Sequence, residues 1–349
     1  MRAPGRVNLI GDHTDYNDGL VLPVAIGQAT FVRVRARDDR RLSMHAQDVG
    51  ERAEADLDGP VHAGGWRSYV EGVARILLEQ GFPLRGADLA VRSDLPMGSG
   101  LSSSAALTVG TALALLAVAR LAAEPVPIAR AVQETEHRFA GARVGIMDPL
   151  AILLGRAGCA LLLDCRSLQR RHVPLRLGEH VFVLADSGVR HSIGASGYNT
   201  RRAECEEAVR LLGRRSLRDV GLEELPGLSR LLPDLLGRRV RHVVTENART
   251  EEAAEALEAG DLGRAGTLML QSHRSLREDY EVTVPELDRL VAAFLEAGAL
   301  GARMTGGGFG GSVVALVPRD ALREVRVPFR VVEASDGARE IPDNPGNLW

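Results

Sequence analysis

Residues 8–19 read Asn8-Leu9-Ile10-Gly11-Asp12-His13-Thr14-Asp15-Tyr16-Asn17-Asp18-Gly19, which crowds carboxylates, an imidazole and amides into one polar loop between apolar stretches. Carboxylates accept protons from hydroxyls, and several in one loop suit a polyhydroxylated ligand held by charge-assisted hydrogen bonds. Two other readings use the same residues: a turn whose Asp and Asn side chains cap backbone groups, and a metal site built on Asp12, His13 and Asp15. No second His/Asp pair of similar spacing lies nearby, which weakens the metal reading.

A second segment, Gly98-Ser99-Gly100-Leu101-Ser102-Ser103-Ser104, precedes an uncharged helical stretch. Small residues let a backbone approach phosphate oxygens, and exposed N–H groups at a helix start form an anion site without a lysine. Ser104 offers a hydroxyl to a magnesium ion. The plain alternative is an N-capped core helix with a flexible entry. Gly145-Ile146-Met147-Asp148-Pro149 puts one aspartate in a turn, where an aspartate before proline is most often structural. The run Gly306-Gly307-Gly308-Phe309-Gly310-Gly311 is expected between a helix and a strand, either as close backbone approach to a ligand or as a tight turn.

Composition bounds the chemistry. All 43 basic residues of the 349 are arginine, so mechanisms that need a lysine, including the P-loop and Schiff-base chemistry, are excluded. A formal charge of −3 gives no global field for nucleic acid or an anionic membrane. Three scattered cysteines, Cys159, Cys165 and Cys205, suggest neither a disulfide framework nor a zinc site, and no export signal opens the chain, so a cytoplasmic protein is expected. Leu101 to Ala119 is uncharged, but its serines, threonines and alanines point to a buried helix and not a membrane span.

Positioning these segments requires both periodicities. Ala29 to Arg37 alternates as a strand with one solvated face, and Trp66 to Gln80 carries an amphipathic helix stopped by Gly81 and Pro83. A strand at Asp88–Arg92, the glycine turn and a core helix from Ser102 follow, then a helix over Pro127–Ala140 and strands at Cys159–Asp164 and Val181–Ala185. Helical periodicity marks Arg201–Arg214, Glu251–Ala259, Leu262–Arg277 and Pro285–Ala297, and a strand spans Ser312–Pro318. The length suggests two domains, divided at about residue 180.

In this order the segments resemble the galactokinases of the GHMP family of small-molecule kinases. Ala3 to Asn17 looks like the galactokinase signature, Leu95 to Leu107 like the GHMP phosphate loop, and Arg303-Met304-Thr305 with the glycine run like the third GHMP motif. Tyr198-Asn199-Thr200-Arg201-Arg202 and Ser275 to Val282 resemble segments specific to galactokinases. Three features depart from the family pattern: Asp12 where glutamate is usual, Pro149 where glutamine is usual, and a signature that begins at the start of the chain.

The resemblance implies an α/β (α+β) two-domain GHMP kinase fold. Residues 1–180 would form an N-terminal domain like part of ribosomal protein S5, and residues 181–349 a ferredoxin-like C-terminal domain. It implies transfer of the γ-phosphoryl group of ATP to the anomeric hydroxyl of galactose. From composition, no nucleic-acid or membrane partner is expected, and the oligomeric state, for which a monomer is the expectation, is left undetermined by the sequence. Asp148 would be the catalytic base and Arg6 its neighbouring cation. Gly98, Ser99, Gly100, Leu101, Ser102, Ser103 and Ser104 would hold ATP, and Ser104 and Glu136 would hold Mg2+. Asp12, His13, Thr14, Asp15, Gly145 and Tyr198 would surround the sugar, with Asp12 at its exocyclic hydroxymethyl end. Another sugar 1-kinase, acting on arabinose, N-acetylgalactosamine or a uronic acid, and a catalytically silent galactose and ATP sensor are the alternatives.

Overall fold

The computed structural model describes residues 1–96, 98–189 and 196–342; Met97, inside the expected phosphate loop, lies outside them. The first half builds a five-stranded sheet from β1 (Arg2–Asn8), β3 (Pro23–Ala36), β4 (Arg41–Ala46), β5 (Glu51–Asp56) and β6 (Ala87–Ser93), with β2 (Leu20–Val21) standing outside it. Its spatial order is β1-β3-β6-β4-β5, antiparallel except for the β4–β6 pair. Helices α1 (Gly65–Glu79), α2 (Ser103–Val118), α3 (Pro125–Thr135) and α4 (Met147–Leu154) pack with it, and β2 joins β7 (Cys159–Asp164) and β8 (Arg170–Pro174) in a small second sheet.

The second half sets an antiparallel sheet of β9 (His180–Asp186), β10 (Gly301–Thr305), β11 (Ser312–Pro318) and β12 (Arg330–Val332), in the order β10-β11-β9-β12. Four helices accompany it: α5 (Ser196–Leu212), α6 (Asp234–Ala259), α7 (Leu262–Glu278) and α8 (Pro285–Glu296). Phe182, Val314, Leu316 and the apolar residues from Ala253 to Met269 join the same core cluster as Val7, Val32 and Leu89, so one continuous apolar contact spans both halves. The chain end returns to the first sheet through bridges Ile26–Ala334 and Arg2–Arg339.

The uncharged stretch is α2, buried against β3, and among the described residues no helix is long and apolar enough to cross a membrane. Three local expectations need correcting. The helix foreseen over Glu251–Ala259 is the end of the 26-residue α6, whose first part buries Arg239, His242, Glu246 and Asn247 and so hides its periodicity. The glycine run joins two strands, β10 and β11, and not a helix and a strand; β10 is wholly buried yet carries Arg303, which disguises it. Asp148 and Pro149 lie in the first turn of α4 and not in a turn, because proline fits where a helical N–H has no partner.

Candidate active site

Ahead of α2 three residues take positive φ: Gly98 at 68°, Gly100 at 77° and Ser102 at 59°. Alternation of this kind turns backbone N–H groups toward one concave side, in front of the positive end of a 16-residue helix. Ser102 is not a glycine, so its left-handed backbone is strained. That conformation lets its hydroxyl donate to Asp148 Oδ2. Ser99 is buried with its hydroxyl donating to Pro96 O at 2.7 Å, while its carbonyl accepts from Ser312 Oγ at 2.8 Å.

β1 delivers Arg6 to the same place. Its pairing with β3 shifts register between Pro4 and Arg6, a bulge that re-aims the following side chain. Gly5 permits this, since a side-chain carbon there would strike Leu95 and come within 2.9 Å of Leu101 O. Arg6 is 5% exposed and grips Asp148 with both arms, Nε to Oδ1 at 2.8 Å and Nη2 to Oδ2 at 2.9 Å. Its Nη1 donates to Gly100 O, tying Asp148 to the Gly98–Ser104 loop. Asp148 thus accepts three hydrogen bonds and keeps 24% of its side chain exposed.

The polar loop after β1 is held by the buried polar side of α6. Glu246 Oε1 accepts from Gly11 N at 3.0 Å, Asn247 Oδ1 from Leu20 N at 2.8 Å, and His242 Nε2 lies 3.1 Å from Asp12 O. Burial pushes the Glu246 carboxyl up, but Arg249, His242 and Arg303 together bring it down to about 2. Asp12 is engaged by the second half of the chain: Oδ2 lies 2.6 Å from Arg303 Nη2 and Oδ1 accepts from Gly306 N at 3.1 Å. Thr14 is fully buried and donates to Gly11 O and Leu20 O, at 2.8 and 2.6 Å.

His13, with φ at 65°, is lowered to about 3 by burial and then by His242 and Arg201, so its ring is neutral at working pH. Asp15 is pushed up to about 7 by burial and then by Asp148. Among the described residues no group of three or more His, Cys, Asp or Glu side chains is placed to hold a metal, which removes the Asp12, His13, Asp15 metal reading.

Glu136 opens a single π-type turn, Glu136–Ala140, a form of helix irregularity frequent at functional sites. It is buried, accepts from Ser104 Oγ at 3.2 Å, and is pushed up to about 7 by burial and then by Asp148. The Ser104 hydroxyl and the Glu136 carboxyl are two hard oxygen donors beside the Gly98–Ser104 loop, and a buried carboxyl there would be favoured by a cation, so the pair fits a magnesium ion.

These groups face one cavity of about 400 Å³. Arg6, Asp12, His13, Asp15, Gly98, Gly100, Leu101, Ser102, Ser103, Ser104, Glu136, Gly145, Asp148 and Tyr198 line it. Thr14 and Ser99 do not; their hydroxyls are spent inside their own loops, so they shape the wall without forming it. Tyr69 of α1 lines the cavity too, although its helical spacing marks it only as one more apolar-face residue, and Gly306 and Gly307 of the glycine run form part of the wall.

The chain matches the galactokinase galactose-binding signature over residues 1–36, the GHMP kinases N terminal domain over 68–156, and the GHMP kinases C terminal domain over 253–330. It is 51% identical over 333 residues to a galactokinase of Chloroflexus aggregans, covering 93% of this chain and 85% of that one. Against a galactokinase of Chloroflexus aurantiacus it is 52% identical over 329 residues, covering 91% and 84%. The crystal structure of Lactococcus lactis galactokinase complexed with galactose superposes with a TM-score of 0.94 at 35% identity, over 97% of this chain and 94% of that one. The chain therefore belongs to the galactokinases, within the GHMP kinase family.

Proposed function

We propose that the chain transfers the γ-phosphoryl group of ATP to the anomeric hydroxyl of D-galactose, giving galactose 1-phosphate and ADP. The observation that carries this reading is the Arg6–Asp148–Ser102 cluster, which joins the loop of converging N–H groups to the carboxylate and imidazole loop across one cavity. A single chain supplies every group, so the reading needs no partner subunit. ATP supply locates the reaction in the cytoplasm. Residues 1–180 contribute the phosphate loop, the base and the sugar loop, and residues 181–349 contribute Tyr198 and the Arg303–Gly307 support.

In this reading the nucleotide phosphates lie along Gly98–Ser104, and the sugar lies between Asp15, His13 and Tyr198. Asp148 orients the anomeric hydroxyl. As the new O–P bond forms and the bond to the β-phosphate oxygen breaks, the hydroxyl proton passes to an Asp148 oxygen. A carboxylate already accepting three hydrogen bonds is a weak base, so proton transfer comes late in a loose transition state. Arg6 fixes the carboxylate, and its charge faces the developing negative charge. Ser104 and Glu136 would hold the magnesium ion, which when bound supplies charge neutralisation at the phosphate oxygens.

The test is a panel of monosaccharides with ATP and magnesium, read by phosphorus NMR. Galactose is expected to give the 1-phosphate with kcat/KM at least about 10³-fold above glucose, because a site built for one hydroxyl orientation leaves buried groups unpaired with the other. Equal turnover of the two sugars, or none of either, overturns the reading.

A further inference from the structure

Three buried residues, His13, Tyr280 and Cys205, and the half-buried Tyr16 form a continuous hydrogen-bond chain behind the cavity. His13 Nδ1 lies 2.9 Å from Tyr16 Oη, Tyr16 Oη lies 2.8 Å from Tyr280 Oη, and Tyr280 Oη lies 3.1 Å from Cys205 Sγ. The Tyr280 ring is wedged between two imidazoles, with centroids 4.8 Å from His13 and 4.5 Å from His242. His13 lines the cavity; with Nδ1 turned to Tyr16, its Nε2 is buried without a well-formed hydrogen bond, while the Gly307 backbone carbonyl favours a proton on the ring. Tyr280 belongs to the Ser275–Val282 segment and Cys205 lies just past the Tyr198–Arg202 segment, so neither has a role in the phosphoryl transfer derived above.

We propose that Cys205, Tyr280 and Tyr16 are positioning residues that fix His13 as its Nε2–H tautomer, so that it donates to a sugar hydroxyl oxygen. This rests on the reading that the cavity takes galactose. A neutral imidazole has one donor and one acceptor nitrogen, and the bond made by Nδ1 decides which is which. Each hydroxyl carries one proton and two lone pairs, so a run from Cys205 to His13 Nδ1 uses every hydroxyl and thiol proton inside the chain, whereas a proton on Nδ1 leaves one of them without a partner in it. Running from Cys205, the phenol of Tyr16 meets the strongest acceptor present, the imidazole nitrogen, and the thiol donates only at the far end. The reverse direction spends a phenolic proton on sulfur, a weak acceptor.

The chosen direction also matches the ligand. Asp15 and Asp148 on the cavity wall accept protons from sugar hydroxyls, and a donor is needed for the lone pairs of those same hydroxyls. The left-handed backbone at His13, uncommon outside glycine, is a cost the loop carries to aim this ring.

Nitrogen-15 NMR of the nine histidines reads the tautomer directly in the full chain without sugar, with the His13 signal assigned by its loss in His13→Asn. The expected wild-type spectrum shows bare Nδ1 and protonated Nε2. Tyr280→Phe, which keeps the ring between the imidazoles, moves the signal toward a mixture of tautomers and raises KM for galactose about fivefold. Tyr16→Phe raises it about tenfold, with KM for ATP and kcat within about twofold in both.

Cys205→Ala also raises galactose KM, whereas Cys205→Ser, a stronger donor than the thiol, restores it. Thermal midpoints of the variants separate these effects from unfolding. An Nδ1–H His13 in the wild type, or unchanged galactose KM in both tyrosine variants, overturns the proposal. Absence of any phosphorylation by the wild type overturns the assigned reaction instead, and the spectrum still decides the tautomer.

Discussion

Gly145 backs onto the Asp15 carboxylate so closely that a side-chain carbon at Gly145 would overlap Asp15 Cγ and Oδ2. The obstruction is the end of a side chain, which can swing away, and not backbone. Gly145→Ala is therefore expected to fold with its thermal midpoint nearly unchanged while displacing Asp15 from the sugar. KM for galactose should rise about tenfold or more, the cost of one or two charge-assisted hydrogen bonds. In an Asp15→Ala background the same substitution should add little. A full additive effect in that cycle would show that Gly145 acts elsewhere.

Asp148 accepts from Arg6 and Ser102, and these bonds would also suit a purely structural aspartate at the start of a helix. Asp148→Asn discriminates, because it keeps the shape and removes the charge and the basic oxygen. A fall in kcat of about 10² or more with galactose binding retained is the expected outcome, measured by steady-state kinetics beside calorimetric titration with the sugar. Near-normal kcat would transfer support to the silent sensor.

Glu136 carries an electrostatic cost when ionised, its carboxyl raised from 4.5 to about 7 by burial and then by Asp148. In this situation the folded state binds more protons than the unfolded state between those two values. Stability therefore falls as pH rises through that window, the opposite of a salt-bridged carboxylate. Glu136→Gln should stabilise the metal-free protein at pH 8 by on the order of 2 kcal/mol, and the difference should vanish near pH 4. Denaturant titration at both pH values checks this, and the same variant should require far more magnesium for turnover.

The Asp12–Arg303 pair is buried on both sides, with side-chain exposures of 2% and 0%. Asp12→Asn leaves a guanidinium in the interior with its next carboxylate, Glu246, 3.8 Å away. A loss on the order of 3 kcal/mol is expected from chemical denaturation. With its oxygens engaged by Arg303 and Gly306, an Asp12 that faces the exocyclic end of the sugar would grip it weakly, so 6-deoxygalactose is expected to have a KM within a few-fold of galactose. Asp12→Glu should lower KM for galactose and widen that gap; an increase for galactose with no wider gap would show that Asp12 does not face that carbon.

Several parts of the site are legible along the chain because their physics is local. Glycines at 98 and 100 before a run of small residues specify a strained turn and a helix start, whatever packs against them. Asp12, His13 and Asp15 share a loop because they are neighbours in sequence. Arg6 and Asp148, 142 residues apart, come together only when a bulge in β1 and the first turn of α4 meet across the α2 entry. Likewise Asp12 finds Arg303 only because β10 is buried beneath the loop, and His13 finds Tyr280 only because the end of α7 packs on it. Polar side chains buried by such long-range contacts, like Arg239, His242 and Glu246 on α6, erase the apolar periodicity that would otherwise announce their helix. Their partners lie too far along the chain for spacing to reveal, and burying them is favourable only where the fold pairs every charge.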